Sequence, residues 1–142
     1  MSAYKRIKCN LVDKEALLGA LKELGFTPAV YDTPQKLRGY AGDVRMNSAE
    51  IIVDRSQLNE AFTGASNDLG FFYDNSQGEY IMVCSDYDRS CEIDQRVKQA
   101  YAKVVIEKAL KSQGFKVKVE IPNDSLKSKK RTSVNVVGKK LV

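Results

Sequence analysis

Residues 69–85 read Leu69-Gly-Phe-Phe-Tyr-Asp-Asn-Ser-Gln-Gly-Glu-Tyr-Ile-Met-Val-Cys-Ser85. Aromatic and β-branched residues, which favour strands, stand on both sides of a polar run at 74–78 that can reverse the chain. The stretch therefore predicts a β-hairpin. Apolar residues occupy both alternating positions of the second strand, at 80–83, so we expect a central strand that is covered on both faces.

A long helix is predicted to follow the hairpin and to end at Gly114, because glycine commonly terminates helices. The polar run at 86–90 leads into it, and Ser90 or Asp88 is predicted to cap its first turn. Glu92 and Asp94 are placed near the positive end of its dipole. Its apolar stripe repeats every three or four residues and comprises Ile93, Val97, Ala100, Tyr101, Val104 and Val105. We expect this helix to lie across the sheet as the main element of the core.

The remaining segments predict further strands around one shorter helix. Residues 4–11 alternate as a half-buried strand, and a helix at 14–24 is predicted to begin after the cap Asp13 and to end at Gly25. Residues 26–31 predict a strand, which we place at a sheet edge because Pro28 interrupts it. Residues 37–42 predict a loop or bulge, and residues 49–54 predict a third strand. Residues 56–68 predict a loop with one possible helical turn, 115–121 a strand, 122–131 a basic loop, and 132–137 a last strand or arm.

These elements predict an α+β fold in which two helices pack on a mainly antiparallel sheet, in the order β-α-β-β-β-β-α-β. The two strand–helix–strand units are typical of the split β-α-β arrangement of ferredoxin-like folds. No internal repeat or linker divides the chain. We therefore predict one α+β domain at 1–124, followed at 125–142 by a basic C-terminal loop and a possible last strand or arm.

Positive charge is concentrated at the C-terminal end. The 142 residues carry a formal net charge of +5, but residues 110–142 hold nine basic and two acidic side chains, a net of +7. The other residues hold 14 basic and 16 acidic side chains, a net of −2. Within the basic end, the candidate residues for binding nucleic acid or an acidic partner are Lys127, Lys129, Lys130 and Arg131. Plain solvation of these charges is the alternative interpretation.

Nothing in the chain predicts export or membrane insertion. No apolar run approaches the ~20 residues that span a bilayer, and the N-terminal stretch has no signal-peptide core. We therefore predict a cytoplasmic protein without membrane association. Its three cysteines, Cys9, Cys84 and Cys91, are interpreted as reduced thiols.

The composition argues against the common catalytic sites. Without histidine the chain has no Ser-His or Cys-His pair, and three cysteines are too few for a zinc site made of thiolates alone. An acidic cluster fits no calcium loop, and helix capping accounts for most of its members, Asp86, Asp88, Glu92 and Asp94. We predict no catalytic residue, no metal site and no cofactor, and an enzymatic function ranks last without being excluded.

The best candidate for a ligand site is the stretch Arg38-Gly39-Tyr40-Ala41-Gly42. Its backbone amides and guanidinium could bind a phosphate or a carboxylate, and the predicted ligand-binding residues are Arg38, Gly39, Tyr40 and Gly42. The stretch is not a nucleotide P-loop, because no Gly-Lys-Ser/Thr accompanies it. The alternative interpretation is that its glycines serve a bulge or tight turn that only glycine can adopt.

Several segments together resemble a known family. They are Ala-Leu-Lys-Glu-Leu-Gly-Phe at 20–26, Leu-Arg-Gly-Tyr-Ala-Gly at 37–42, Ala-Glu-Ile-Ile-Val at 49–53, Leu-Gly-Phe at 69–71, Gly-Glu-Tyr at 78–80 and Gln-Ala-Tyr-Ala-Lys-Val-Val at 99–105. Over residues 5–120 the chain resembles the hypothetical chloroplast reading frame thirty-five family, small proteins of cyanobacteria and algal plastids with bacterial and phage relatives.

The resemblance implies an accessory role without a known activity, because relatives occur beside AAA-class ATPases and ferredoxins in some bacteria. Three features are typical of a divergent member, of the kind that phages encode. They are a longer loop at 54–68, the absence of the usual aromatic residues after the hairpin, and the lysine-rich end.

We therefore expect a non-enzymatic accessory protein that acts through protein–protein contacts, made by a sheet edge or by the loop at 38–42. The alternative is a binder of nucleic acid or of a phosphorylated small molecule, through Arg38, Tyr40 and the basic C-terminal segment. Exposed strand edges also predict that the partner could be a second copy of the chain.

Overall fold

Five strands form one antiparallel sheet in the computed structural model, which describes residues 3–39, 43–61, 67–120 and 135–140. Their order across the sheet is β1 (Tyr4–Leu11), β5 (Glu79–Ser85), β4 (Leu69–Asp74), β3 (Val44–Val53) and β2 (Ala29–Arg38). Every neighbouring pair is antiparallel. β1 and β2 therefore run in the same direction at opposite edges, and the other three strands lie between them. The predicted α+β class with a mainly antiparallel sheet is confirmed.

The predicted hairpin is β4 and β5, paired from Gly70 opposite Val83 to Asp74 opposite Glu79. Gly78 closes the turn with φ +68°, a left-handed conformation that glycine adopts without strain. β5 lies between β4 and β1 and is buried on both faces, as its sequence predicted.

The main core lies between one face of the sheet and the helices α1 (Lys14–Glu23) and α4 (Ile93–Ser112). Asp13 caps α1 by accepting a hydrogen bond from the backbone N–H of Ala16 at 3.2 Å. The predicted stripe of α4 is buried at its first four positions, Ile93, Val97, Ala100 and Tyr101. Val104 is half-buried against the core, whereas Val105 is exposed, so the buried stripe is narrower than predicted.

The predicted caps of the long helix are wrong. The polar run forms a separate short helix, α3 (Asp86–Ser90), and Ser85 caps it by accepting from the N–H of Asp88 at 3.0 Å. The chain then turns at Glu92, whose φ of 62° is left-handed, and α4 begins at Ile93 without a side-chain cap. Asp88 is buried and accepts a hydrogen bond from the N–H of Asn67, so its carboxylate is engaged outside the helix.

Both strands of the β2–β3 hairpin are longer than predicted. β2 extends through residues 37–38, which were predicted as loop or bulge, and β3 begins at Val44 rather than at residue 49. Their register shifts between Val30 and Gln35 and again between Lys36 and Arg38. The first of these shifts spans Pro34 at the sheet edge, so the proline interrupts the ladder without ending the strand. The ambiguous segment that follows β3 opens with a short helix, α2 (Arg55–Ala61).

The end of the β2–β3 hairpin covers part of the second face of the sheet. Leu37 is buried although the rest of β2 is exposed. It belongs to a second, smaller core cluster together with Ala49, Ile52 and Val83, against which Tyr4 and Phe72 pack. The sheet is thus covered by helices on one face and by its own edge hairpin on part of the other.

The last two strands, β6 (Phe115–Glu120) and β7 (Asn135–Lys140), form a separate two-stranded antiparallel sheet. The predicted last strand therefore exists, three residues further along the chain than expected. Among the described residues, no helix combines the length and apolarity needed to cross a membrane.

Candidate functional site

The structure positions only part of the predicted ligand stretch. Arg38 is the last residue of β2 and Gly39 follows it. The other predicted site residues lie outside the described part of the chain: Tyr40, Gly42, Lys127, Lys129, Lys130 and Arg131. The ligand-binding role of the stretch therefore stays a prediction, and the geometry below concerns the residues that surround Arg38 and Gly39.

The backbone of Arg38 is held by Asp68, which directly precedes β4. The N–H of Arg38 donates to Oδ2 of Asp68 at 2.8 Å, and the N–H of Asp68 donates to the carbonyl of Arg38 at 2.9 Å. Oδ1 of Asp68 accepts from the N–H of Arg55, the first residue of α2, at 2.9 Å. The hydroxyl of Tyr4 donates to the carbonyls of Asp68 and Arg38 at 2.7 and 3.2 Å. Four segments of the chain, β1, β2, α2 and β4, meet at this point.

Burial shifts the pKa values of two of these groups, the Asp68 carboxyl and the Tyr4 hydroxyl. It raises the pKa of the Asp68 carboxyl, and the backbone N–H groups of Arg38 and Arg55 oppose that shift. Burial also raises the pKa of the Tyr4 hydroxyl far above its ordinary value, and the nearby Asp68 carboxylate adds to the shift. Tyr4 therefore keeps its proton at physiological pH and remains a hydrogen-bond donor to the two carbonyls.

Gly39 is buried at a close approach between the two strands. A Cβ atom at this position would lie 2.8 Å from Oδ1 of Asp43 and would clash with the guanidinium of Arg45. That guanidinium pairs with Asp43, with Nε 2.9 Å from Oδ2, and lies over the ring of Tyr4 at 5.4 Å from its centroid. The geometry thus gives a packing reason for glycine at residue 39. Sequence reasoning missed Arg45 and Asp43, because residues 43–48 were not assigned to any strand.

A cleft of about 210 Å³ opens beside Arg38, between β2 and the start of α2. Lys36 and Arg38 bring positive charge to it, and Asp54 and Asp68 bring negative charge. Both carboxylates are engaged: Asp68 by backbone N–H groups, and Asp54 by the N–H and hydroxyl of Ser56 at 2.9 and 2.6 Å. Both oxygens of Asp68 and Oδ1 of Asp54 therefore accept hydrogen bonds from the protein itself, and two cationic side chains line the same cleft.

Exposed apolar side chains are concentrated on the β2–β3 hairpin. Of the seven large apolar residues that are exposed in the described part of the chain, four belong to it. Their exposed fractions are 45% for Val30, 43% for Tyr31, 59% for Val44 and 87% for Met46. β2 is also an edge strand, and among the strands that the structure describes β3 is its only neighbour in the sheet. Sequence reasoning predicted an edge here but missed Val44 and Met46, which it left in an unassigned segment.

Two members of the acidic cluster, Asp88 and Asp94, are buried and engaged, and two of the three thiols are shielded by burial. Within the ranges that the structure describes, no group of three or more Cys, Asp or Glu side chains is placed to hold a metal ion. Asp94 is buried and pairs with Arg89 at 3.6 Å. All three cysteines are free thiols, and burial raises the pKa of Cys9 to about 11 and that of Cys84 further. Neither thiol forms a reactive thiolate at neutral pH.

A family model, protein of unknown function DUF1257, matches residues 20–126. The chain belongs to this family. The part that matches the DUF1257 model includes the β2–β3 hairpin, Asp68, the β4–β5 hairpin and α4, so these features lie within the family's own segment. Neither the curated proteins nor the solved structures include a match. The description of the DUF1257 family assigns no activity to its members.

Proposed function

We propose that the protein is a non-enzymatic accessory protein that binds a protein partner through its β2–β3 hairpin. The observation that carries this proposal is the concentration of exposed apolar side chains on that hairpin, with Met46 the most exposed. Apolar side chains exposed together on a monomer commonly mark an interaction surface. Methionine is well suited to such a surface, because its flexible thioether adapts to different contacts.

The edge position of β2 suggests how the partner binds. An edge strand presents backbone N–H and C=O groups that can pair with an added strand. An extended segment of the partner beside β2 would gain backbone hydrogen bonds and would cover Val30 and Tyr31. Because the other end of the hairpin is anchored through Arg38 and Leu37, this surface is held in place before binding.

The proposal also covers the family to which the chain is most specifically related and the compartment in which it acts. We take it to be a divergent, phage-type member of the hypothetical chloroplast reading frame thirty-five family, acting in the cytoplasm. Support comes from the quoted segments, all of which lie within the matched residues 20–126. An accessory role also requires no catalytic residue.

The test is the double variant Val30→Ser/Met46→Ser, which removes one exposed apolar side chain from each strand of the hairpin. Because both side chains are exposed, we expect the thermal midpoint to stay unchanged while the affinity for a partner falls by about tenfold or more. Partners cross-linked in the source cell are identified by mass spectrometry, and the affinity of the purified pair is then measured. A second copy of the chain as partner would appear as a concentration-dependent dimer that the variant abolishes.

The matched control is Val12→Ser/Val105→Ser, which also removes two exposed apolar side chains but away from the hairpin. It should bind the partner as tightly as the wild type. Equal binding by all three proteins, or cross-links that map outside residues 29–53, would contradict the proposal.

A second candidate function, binding of a phosphorylated small molecule, is favoured by the cleft beside Arg38. Lys36 and Arg38 line it, and both oxygens of Asp68 and Oδ1 of Asp54 accept hydrogen bonds from the protein itself. Lys36→Gln/Arg38→Gln changes these side chains and leaves the backbone clamp of Arg38 intact. A native mass spectrum of gently purified protein that carries an added phosphorylated mass, lost in this variant, would support the candidate. A wild type that neither carries such a mass nor is thermally stabilised by nucleoside phosphates would exclude it.

A further inference from the structure

The cleft between β2 and the start of α2 is lined by residues of both charges. Lys36 and Arg38 line it from β2, and Asp54, which directly precedes α2, lines it as well. Asp68 is a fourth charged residue of the cleft, but both of its oxygens already accept backbone N–H groups, from Arg38 and Arg55. A ligand that carries one negative and one positive group matches this arrangement better than a purely anionic ligand.

The carboxylate of Asp54 has one oxygen that the protein does not use. Its Oδ1 accepts hydrogen bonds from the N–H and the hydroxyl of Ser56, whereas none of the residues that the structure describes donates to its Oδ2. The hydroxyl of Ser56, followed by its N–H, holds the pKa of Asp54 below its ordinary value of 3.8, so the carboxylate is charged at neutral pH. Tyr31 lines the same cleft, and aromatic rings attract cations. The cleft therefore suits an ammonium group as well as an anion.

Hydrogen bonds near both ends of β2 hold α2 beside the cleft. Before β2, the N–H of Thr27 donates to Oε1 of Gln57 at 2.6 Å, and Nε2 of Gln57 donates to the carbonyl of Thr27 at 3.0 Å. At the end of β2, Asp68 accepts from the N–H groups of Arg38 and Arg55. Because α2 is tied to the chain at both places, the cleft is formed before a ligand binds, which lowers the cost of binding.

The volume of the cleft limits the size of the ligand. The cleft measures about 210 Å³, whereas pockets that enclose drug-sized ligands measure about 300–1,000 Å³. A ligand that the cleft encloses is therefore a compact molecule, in which the negative and the positive group are only a few bonds apart.

We infer that the cleft binds a small phosphorylated amine, with its phosphate at Lys36 and Arg38 and its ammonium group at Oδ2 of Asp54. Cationic side chains bind phosphate oxygens through charge-assisted hydrogen bonds, and an ammonium group donates to a free carboxylate oxygen in the same way. The inference rests on the second candidate function above, binding of a phosphorylated small molecule, and specifies the chemical class of that molecule. It is independent of partner binding by the β2–β3 hairpin.

The test compares two ligands that differ at the amine, by isothermal titration calorimetry on the full chain. Phosphoethanolamine carries a phosphate and an ammonium group, whereas N-acetylphosphoethanolamine carries the phosphate alone. The wild type should bind phosphoethanolamine about tenfold more tightly. Asp54→Asn should remove this preference but bind the N-acetylated ligand like the wild type, because asparagine keeps the oxygen that accepts from Ser56. Unchanged binding of the N-acetylated ligand also shows that the variant is folded.

Two further variants separate the contributions of the charges. Lys36→Gln/Arg38→Gln should weaken the binding of both ligands by about tenfold or more, because both ligands carry the phosphate. Asp32→Asn removes a carboxylate from an exposed position of β2 that does not line the cleft, and it should bind both ligands like the wild type.

Equal binding of the two ligands by the wild type, or a preference that survives in Asp54→Asn, would overturn the inference and leave the second candidate function standing. Adenosine monophosphate has a phosphate but no ammonium group, so tighter binding of this nucleotide than of phosphoethanolamine would also overturn the inference. A wild type that binds none of the three compounds would overturn it as well. The native mass spectrum described above then decides separately whether the second candidate function stands.

Discussion

The carboxylate of Asp68 illustrates how one residue can join distant parts of the chain. Its two oxygens accept backbone N–H groups from β2 and from α2, and its own backbone pairs with Arg38 and Tyr4. A buried carboxylate normally costs free energy, and here two donors on separate elements offset that cost. Asp68 therefore links the exposed hairpin to the sheet, which makes it central to the proposed binding surface.

Replacing this residue, Asp68→Ala, should destabilise the protein by about 2–4 kcal/mol, because the N–H groups of Arg38 and Arg55 lose their acceptor. Urea unfolding measures the change, and Asp32→Ala, at an exposed position of β2, is the control with the same change in charge. A loss of stability no larger than that of Asp32→Ala would contradict the role given to Asp68.

The protonation of Asp68 also contributes to the pH dependence of stability. Burial raises the pKa of Asp68, so the folded protein binds the carboxyl proton more tightly than the unfolded chain does. This contribution to stability is fully present below the ordinary carboxyl pKa and is lost as the pH rises through the raised pKa.

At the scale of elements, α4 holds the junction between β1 and α1. The hydroxyl oxygen of Tyr101 accepts from the N–H groups of Val12 and Asp13 at 3.1 and 3.0 Å. Asp13 in turn caps α1 and pairs with Nζ of Lys108 at 2.7 Å. α4 therefore stabilises the fold by more than its apolar stripe. Its polar side chains Tyr101 and Lys108 also hold the start of α1 in place.

The cap at Asp13 should make stability depend on pH in the acid range. The hydrogen bond from Lys108, followed by that from the N–H of Ala16, holds the pKa of Asp13 below its ordinary value of 3.8. A lowered folded pKa gives stability that is present above the ordinary value and is lost as the pH falls through the lowered value. Near neutral pH, Asp13→Ala should cost about 1 kcal/mol, and Asp13→Asn should cost less because it keeps the cap.

The measurement is urea unfolding of wild type, Asp13→Ala and Asp13→Asn between about pH 2 and pH 7. The stability difference between the wild type and Asp13→Asn should shrink as the pH drops below 3.8. A difference that stays constant over this range would show that the charge of Asp13 does not contribute.

For the whole molecule, the decisive feature is that the sheet is covered by different means on its two faces. Helices α1 and α4 cover one face, and the folded end of the β2–β3 hairpin covers part of the other. Gly70 in β4 lies at a close approach between β4 and the β2–β3 hairpin. A Cβ atom there would be 2.8 Å from Cβ of Ala49 and 3.0 Å from both Cδ atoms of Leu37.

Adding that methyl group, Gly70→Ala, should displace the hairpin and destabilise the protein by about 1–3 kcal/mol. The amide protons of Arg38 and Asp68 should then exchange faster with solvent, which hydrogen-exchange mass spectrometry would detect. In a Leu37→Ala background the same substitution should cost less, because the space it needs is partly free.

The control is Gly19→Ala in α1, where a Cβ would make an ordinary 3.6 Å contact with Val104 and should stabilise the helix by up to about 1 kcal/mol. Equal effects of the two glycine substitutions would contradict this account of the second face.

The local parts of the fold were predictable from near neighbours in the sequence. The β4–β5 hairpin, the cap at Asp13, the stop at Gly25 and the buried stripe of α4 each depend on residues within a few positions of one another. The predicted caps of α4, Ser90 or Asp88, were wrong because a distant contact intervenes. The carboxylate of Asp88 accepts a hydrogen bond from the N–H of Asn67, which lies 21 residues away.

The sequence by itself determined the α+β class, the central hairpin, the two large helices and the concentration of positive charge at the C-terminal end. Only the tertiary structure decided the length of β2, the burial of Leu37, the clamp at Asp68 and the exposure of Met46. The physical reason is distance along the chain. Periodicity and capping report contacts between near neighbours, whereas the hydrogen bond from Tyr4 to Asp68 joins residues 64 positions apart that only the folded sheet brings together.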